Sequence, residues 1–571
     1  PDSFRVRYTS THRRGNIHFV WRADISGAAD GTIRFEFDGE ARSTFRRNRI
    51  GFCVLHPIAE CAGKPCSIET PDGKKHEGRF PDLISPNQPF QNMRAISHEA
   101  APGVRAEVRF EGDIFEMEDQ RNWTDASYKT YCTPLALPYP APVEKGARVK
   151  QAVTLSVAAP GGQSRGRTQT RTEITLEAGT RVKLPKIGVG WGADQGALSR
   201  IETARLRALG LSHLRVDLDS ASPDMPQRLE QAAAAGLPLE IAVFLTDQAE
   251  RELGALAAAC ARLRPRVARW LIFHKGDITT GPERLRLARA KLAPVSGGAP
   301  IGGGTNQYFT ELNRNRPAID VMDTVSFSVN PQVHAFDNVS LVEALAGQAY
   351  AVQSAKSFCG SSPIAVSPVT LRPRFNPQAS GPEMTKPGTL PSRIDPRQMS
   401  LFGAAWTLGS IRHLAESGAG SATYYEATGW GGLMERASGS PLPELFRSLP
   451  GGVVPLYHVL ADVGEMGAAA EARPLLSSDP LIVEGLLLRS GSRARMLLAN
   501  FGPGIRYVRV QKAELGRAVR IRSLNGRTAL RAMQSPEDFR KDAGSLRTFS
   551  EPGFEIALLP FEVARIDAAK V

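Results

Sequence analysis

Disulfide frameworks, membrane spans and metal fingers leave marks in a sequence that this chain lacks. Its 571 residues include only six cysteines, Cys53, Cys61, Cys66, Cys132, Cys260 and Cys359, scattered along the chain. Only Cys61 and Cys66 lie close, in ECAGKPC, and no C-x-x-C with a second pair or two histidines completes a zinc site. The expectation is reduced thiols in a cytoplasmic protein, with a local Cys61–Cys66 disulfide as the minor alternative for an exported one. No run of about 18 apolar residues exists, so no membrane span is expected. No signal peptide is visible either. The chain opens at Pro1-Asp2-Ser3-Phe4 without an initiator Met and already in strand-like sequence, so the natural N-terminus is expected upstream.

Acidic residues are in deficit, giving a formal net charge of +13. Residues 481–571 hold 16 basic and 9 acidic side chains, about half of that excess. Those arginines fall at strand-like intervals, with no aromatic interleaving and no nucleic-acid motif. A solvated arginine-rich surface is the expectation, and neither nucleic acid nor membrane is a predicted partner.

What is present is a grammar of short apolar strands alternating with amphipathic helices between Lys186 and about Glu465. Eight strands are predicted: Lys186–Trp191, Leu214–Asp217, Leu239–Leu245, Trp270–Lys275, Ile301–Asn306, Thr324–Asn330, Ile364–Val369 and Ser421–Glu426. Helices are predicted at Ser199–Leu209 before Gly210, at Asp224–Ala235 before Gly236, and at Arg251–Leu263 before Pro265. Strands this short and apolar are buried on both faces, which predicts a closed parallel (β/α)8 barrel of the TIM type. Residues 1–182 alternate as an antiparallel β-sandwich, ending in a strand at Glu173–Leu176, and residues 471–571 return to β patterns as a second sandwich. The expected architecture is multidomain α/β, with domains at 1–182, 183–470 and 471–571.

In such a barrel the chemistry sits at the C-terminal strand ends. There the sequence offers Arg215, Asp217 and Asp219 on one face of the second strand and His274 with Lys275 closing the fourth. Asn306 ends the fifth strand, Asn330 the sixth with His334 soon after, and Tyr424 and Glu426 share a face of the eighth before Trp430. A loop rich in proline and arginine, Arg372–Arg397, follows the seventh strand and is placed to cover the mouth. Most of these residues also have ordinary structural readings: Arg215–Asp217 as a buried pair, the histidines as satisfied loop residues, Trp191 and Trp430 as rim packing. Glu426 is the strongest functional candidate, because an acid at a strand end has little structural reason to be there. In the N-terminal region, Glu116–Tyr131 (EMEDQRNWTDASYKTY) packs carboxylates, Arg121, Asn122, Trp123 and Asp125 into one stretch, which suits a polyhydroxylated ligand as well as it suits a surface loop.

Sandwich, barrel and sandwich is also the layout of many retaining glycoside hydrolases, but those need two carboxyl groups about 5 Å apart. The family pattern places them on the fourth and seventh strands. Here the fourth strand ends Phe273-His274-Lys275-Gly276, and the seventh runs Ser367-Pro368-Val369-Thr370-Leu371-Arg372, without a carboxylate in either.

Four stretches, Arg49–Pro57 (RIGFCVLHP), Asp82–Phe90 (DLISPNQPF), Glu116–Tyr131 and Ala422–Gly432 (ATYYEATGWGG), are long and unusual. On them the chain resembles the D-apionate lactonases of bacterial sugar-acid catabolism along its whole length, lacking only the family's extreme N-terminal segment. The resemblance implies hydrolysis of D-apionolactone to D-apionate in apiose breakdown.

Lactone opening needs a base for water, donors for the oxyanion and an acid for the leaving alkoxide. Glu426 is the expected base, oriented by Tyr424. His274 and Lys275 are the expected oxyanion stabiliser and leaving-group acid, supported by Asn330 and His334. Arg121, Asn122, Trp123 and Asp125 are placed to clamp substrate hydroxyls, with Asp217 and Trp430 as further contacts. No G-x-S-x-G elbow serves an acyl-enzyme, so direct attack by water is expected. No cofactor is expected, and no ligand spacing specifies a metal. Two alternatives remain open: a glycosidase using Glu426 with Glu118 or Asp119, and a non-catalytic carbohydrate-binding protein.

Overall fold

The computed structural model describes residues 3–158, 172–176, 180–192, 196–377, 379, 384–511, 515–549 and 553–569. Contacts divide the chain into two compact units, Pro1–Asn122 with Ala126–Thr168, and Trp123–Asp125 with Gln169–Val571.

The second unit is built on a closed parallel barrel. Its strands are β1 (Lys186–Gly190), β2 (His213–Asp219), β3 (Leu239–Leu245), β4 (Val267–His274), β5 (Ile301–Tyr308), β6 (Val325–Val329), β7 (Ile364–Val369) and β8 (Ser421–Thr428). They pair in chain order, and β1 also pairs with β8, which closes the ring. The reason is legible in β3: six of the seven residues of LEIAVFL are buried, so both faces are covered, one by the barrel interior and one by helices.

The helices start and stop where local chemistry directs. Helix Arg200–Ala208 opens with a capping box, in which the Ser199 hydroxyl accepts from the Glu202 amide and the Glu202 carboxylate accepts from the Ser199 amide. Gly210 then turns the chain at φ +64, where a side chain would meet the carbonyl of Gly464 at 2.9 Å. Helix Leu401–Glu416, capped by Ser400, backs β8 and is buried along most of its length.

The C-terminal part of the same unit forms a ten-stranded sheet. The sequence places Glu173–Leu176 at the end of the N-terminal sandwich, but strand Thr172–Leu176 joins this C-terminal sheet. It pairs antiparallel with Glu471–Ser477 and parallel with Arg506–Gln511. Its partners lie some three hundred residues away, and a strand's own pattern does not name them. The predicted strand Phe554–Ile566 is two, Gly553–Leu558 and Val563–Ala568, reversed through Phe561 at φ +54.

Some of the C-terminal arginines correct the expectation of a solvated surface. Arg522 and Arg565 donate to Asp462 at 2.6 and 2.9 Å, and Arg540 donates to it at 3.1 Å. Arg495 reaches Glu465 at 2.8 Å. Asp462 and Glu465 belong to the last barrel helix, Leu456–Gly464, and its C-cap, so these arginines lock the C-terminal sheet to it.

The first unit holds an eight-stranded sheet and a four-stranded sheet, all antiparallel in their pairings. Phe80, Phe110, Phe115, Met117 and Tyr128 fill its core. All six cysteines are free, and Cys61 and Cys66 are buried thiols pushed up to about 12 by desolvation. Among the described residues no helix is long and apolar enough to cross a membrane.

Candidate active site

The mouth of the barrel is shaped by an irregularity in β8. Its pairing with β1 runs Val189 with Tyr424 and then Gly190 with Glu426, so Tyr425 is an extra, bulged residue. Tyr425 accordingly sits at φ +53, a conformation that tyrosine rarely adopts. The bulge breaks the alternation of the strand. Tyr424 and Tyr425 turn their hydroxyls to Ser410 and Thr407 of the backing helix, each at 2.9 Å. Glu426 is left facing a cavity of about 330 Å³. Gly431 keeps the carboxylate accessible, because a Cβ there would stand 3.1 Å from Glu426 Oε2.

Arginine dominates the walls of this cavity, which Arg215, Arg228, Arg374 and Arg393 line together with Asp217 and Glu426. Arg215 donates to Asp217 at 2.7 Å, to the Ser367 carbonyl at 2.6 Å and to Asn306 Oδ1 at 3.2 Å. Arg374, from the loop after β7, donates to the carbonyl and side-chain oxygens of Asn306 at 2.6 and 3.0 Å and to Ser328 at 2.8 Å. Arg393 stands 3.5 Å from Glu426. Burial and the neighbouring Arg215 pull the Arg374 guanidinium down to about 10, still cationic at neutral pH. Burial raises the Asp217 carboxyl, but Arg215 and Arg374 together hold it below its ordinary value. Among the described residues four cations line this cavity against two carboxylates, an excess of positive charge that suits an anion forming during reaction.

Below it the barrel floor is a polar network. Glu240 of β3 accepts from the hydroxyls of Ser367 and Thr423 and pairs with Arg269 at 3.3 Å. Ser367 in turn accepts from Arg215 at 3.0 Å, so Arg215 is anchored from beneath as well as from the rim. A larger hollow of about 690 Å³ lies on the first unit's sheet. Its charges already neutralise one another, Arg7 with Asp24 and Arg34 with Glu111, which leaves less for a ligand.

Comparison with known proteins decides the family. The model of the D-apionate lactonase N-terminal domain matches residues 1–160, and that of the D-apionate lactonase TIM barrel domain matches residues 187–468. A D-apionate lactonase of Brucella anthropi is 33% identical over 476 residues, covering 80% of this chain and 76% of its own length. The chain belongs to the D-apionate lactonase family. Among solved structures, a GH30 endoxylanase from Clostridium papyrosolvens aligns at 9% identity and TM-score 0.47, over 70% of this chain and all of its own. The family 51 α-L-arabinofuranosidase AbfB of Bifidobacterium longum aligns at 12% identity and TM-score 0.46, with the same coverage.

Within this D-apionate lactonase framework the predicted site residues are distributed unevenly. Glu426 and Asp217 line one cavity. Tyr424 does not orient Glu426, since the bulge sends it to Ser410. His274 and Lys275 line a neighbouring hollow, where Lys275 pairs with Asp219 at 2.8 Å and His274 stands 3.3 Å from Asp277. Asn330 is buried, its side chain accepting from the Gln332 amide at 3.1 Å. His334 holds Asp125 at 2.7 Å and lies edge-on to Trp123, which Arg314 also covers. Trp430 donates to Ser440 at 2.7 Å.

Arg121 is buried in the first unit, paired with Asp119 at 2.7 Å and donating to the carbonyls of Pro81 and Asp82. Asn122 donates to the carbonyls of Ser85 and Asp119. Both are thus committed to local structure, as is Glu118, which pairs with Lys129. The arginine and asparagine of the dense polar stretch Glu116–Tyr131 therefore serve to bind backbone carbonyls of their own unit. The residues missed are Arg374, Arg393 and Arg228. For the first two the signal was the arginine-rich loop Arg372–Arg397, whose ends fold inward. Among the described residues no group of three or more His, Cys, Asp or Glu side chains could hold a metal ion.

Proposed function

We propose that this cavity hydrolyses a sugar-acid lactone, D-apionolactone, to D-apionate, with Glu426 as the base that activates water. By family the chain is a lactone-hydrolysing carboxylic-ester hydrolase. The observation that carries the reading is a single carboxylate at the end of β8 facing a cavity with an excess of arginine.

The chemistry follows from that arrangement. Glu426 takes a proton from water as the oxygen attacks the lactone carbonyl carbon, and the carbonyl oxygen becomes an anion. Arg374 and Arg393 stabilise it, Arg374 from a part-buried position where charge is worth more than in solvent. The ring carbon–oxygen bond then breaks, and the departing alkoxide recovers the proton from Glu426. The new acid ionises, releasing one proton to solvent, and its carboxylate rests against the arginines. Asp217, held anionic by Arg215 and Arg374, fixes the Arg215 guanidinium, while Asn306 and Ser328 fix that of Arg374. The same ionisation removes Asp217 from the role of general acid in a glycosidase built on Asp217 and Glu426, because a general acid needs a raised carboxyl.

The test is proton release in weak buffer on adding fresh D-apionolactone, with xylonolactone and an enzyme-free control. Release above the control with the first lactone is expected; none with either would refute the proposal. Arg374→Met is expected to lower kcat by about a hundredfold or more, the loss typical of removing an oxyanion donor, with a smaller change in KM. Equal loss in binding and turnover would instead mean that Arg374 only holds the ground state.

A further inference from the structure

We infer that a second hollow beside the reacting cavity is a subsite for a further sugar ring carried by the lactone. O-glycosylated sugar-acid lactones are then substrates alongside the free ones. The inference rests on the lactonase reading of the main cavity.

The hollow has a volume of about 240 Å³ and lies over the ends of β3, β4 and β5. Phe244 and Phe273 supply its apolar wall, their rings 5.6 Å apart. Phe375 lines both this hollow and the main cavity, so the two share a wall. That wall is fixed: Tyr308 donates to the Phe375 carbonyl at 2.8 Å, and the two rings lie 5.8 Å apart. Asn306 also lines the hollow, while its side-chain oxygen accepts from Arg215 and Arg374 of the main cavity. A molecule seated in one cavity therefore meets the other across one phenylalanine and one asparagine.

The lining identifies the class of occupant. Among the described residues no arginine lines the hollow, and its charged residues Lys275 and Asp277 face Asp219 and His274, so a neutral ligand fits better than a carboxylate. Aromatic faces beside polar side chains are what a sugar ring uses, its C–H face on the ring and its hydroxyls on the polar groups. His274 adds an independent sign. Its Nδ1 accepts from the Gly276 amide at 3.1 Å and stands 3.3 Å from Asp277. The side chain is 9% exposed, and Nε2 is buried without a hydrogen-bond partner among the described residues, Asp247 standing off at 3.4 Å. The ring adds a polar stretch to the wall of the hollow.

The experiment compares D-apionolactone with the same lactone bearing a xylosyl group on its exocyclic hydroxymethyl oxygen. Assays use purified wild type, Thr279→Trp to fill the hollow, and Gln307→Ala, which only deletes polar atoms. Wild type is expected to hydrolyse both lactones. Each variant is expected to lose about tenfold in kcat/KM for the glycosylated lactone, the equivalent of one good polar contact, and to keep its rate on D-apionolactone. Hydrolysis of D-apionolactone alone by wild type overturns the subsite while leaving the lactonase reading intact. Equal losses on both lactones in Gln307→Ala, with an unchanged melting temperature, also overturn it. Hydrolysis of neither lactone by wild type removes the lactonase reading, and the subsite with it.

Discussion

Glu426→Gln is expected to lower kcat on D-apionolactone by about 10²- to 10⁴-fold, the range lost when a positioned general base is removed. The amide keeps the size of the carboxylate and cannot take a proton from water, so KM should change far less than kcat. The fold should survive, because the β8 bulge is held by Tyr424 and Tyr425 against the backing helix and by the Glu426 amide donating to the Gly431 carbonyl at 2.8 Å. Initial rates by proton release, alongside a melting curve, separate the two effects. Retention of more than about a tenth of wild-type kcat would remove Glu426 from the role of base. Loss of folding would show that the residue is structural. Glu426→Asp withdraws the carboxylate by one methylene and should recover part of the rate, which a purely packing role would not predict.

The largest expected effect on stability lies far from the site. Asp462 is 5% exposed and receives hydrogen bonds from Arg522, Arg540 and Arg565. Asp462→Ala takes from Arg522 its one carboxylate partner among the described residues, leaves Arg540 and Arg565 to share Glu465, and is expected to destabilise the second unit by about 3–5 kcal/mol. Asp462→Asn preserves shape and some hydrogen bonding and should cost less. The pH dependence follows from the sign of the shift. Burial pushes the Asp462 carboxyl up, but Arg540, Arg522 and Arg565 outweigh it and hold the folded-state value well below the ordinary carboxylate range. The stabilisation is therefore complete above the unfolded-state value of about 3.9 and is lost as pH falls below it toward the folded value. Urea unfolding of wild type and Asp462→Ala should differ most near neutral pH and converge in acid. A gap that stays constant down to the lowest pH at which the protein folds would mean that packing, not charge, holds this corner.

The barrel can be read from the residues alone. All eight strands are found, with Leu239–Leu245 and Ile364–Val369 at their predicted bounds, because a strand buried on both faces announces itself as a short apolar run. Helix ends were equally legible, since Ser199 and Gly210 act within a few residues of themselves. The family was legible too, in four uncommon stretches spread over both units. Glu426 was legible as a carboxylate at a strand end, where burial alone gives no reason for one.

Which groups share a cavity depends on the folded chain. Period-two alternation put Tyr424 beside Glu426, and one bulged residue reversed that, a register event with no clear mark in SATYYEAT. The arginines that surround Glu426 come from β2, from a helix and from two ends of a long loop, and the fold brings them together across about two hundred residues of sequence. His274 and Lys275 stand at a strand end as expected, yet they line the next hollow. The polar stretch around Arg121 reads as a ligand clamp, but its arginine and asparagine are spent on backbone carbonyls of their own unit. Local chemistry writes itself into neighbouring residues. Convergence of distant charges does not, because it depends on loop paths and strand register that no single segment encodes.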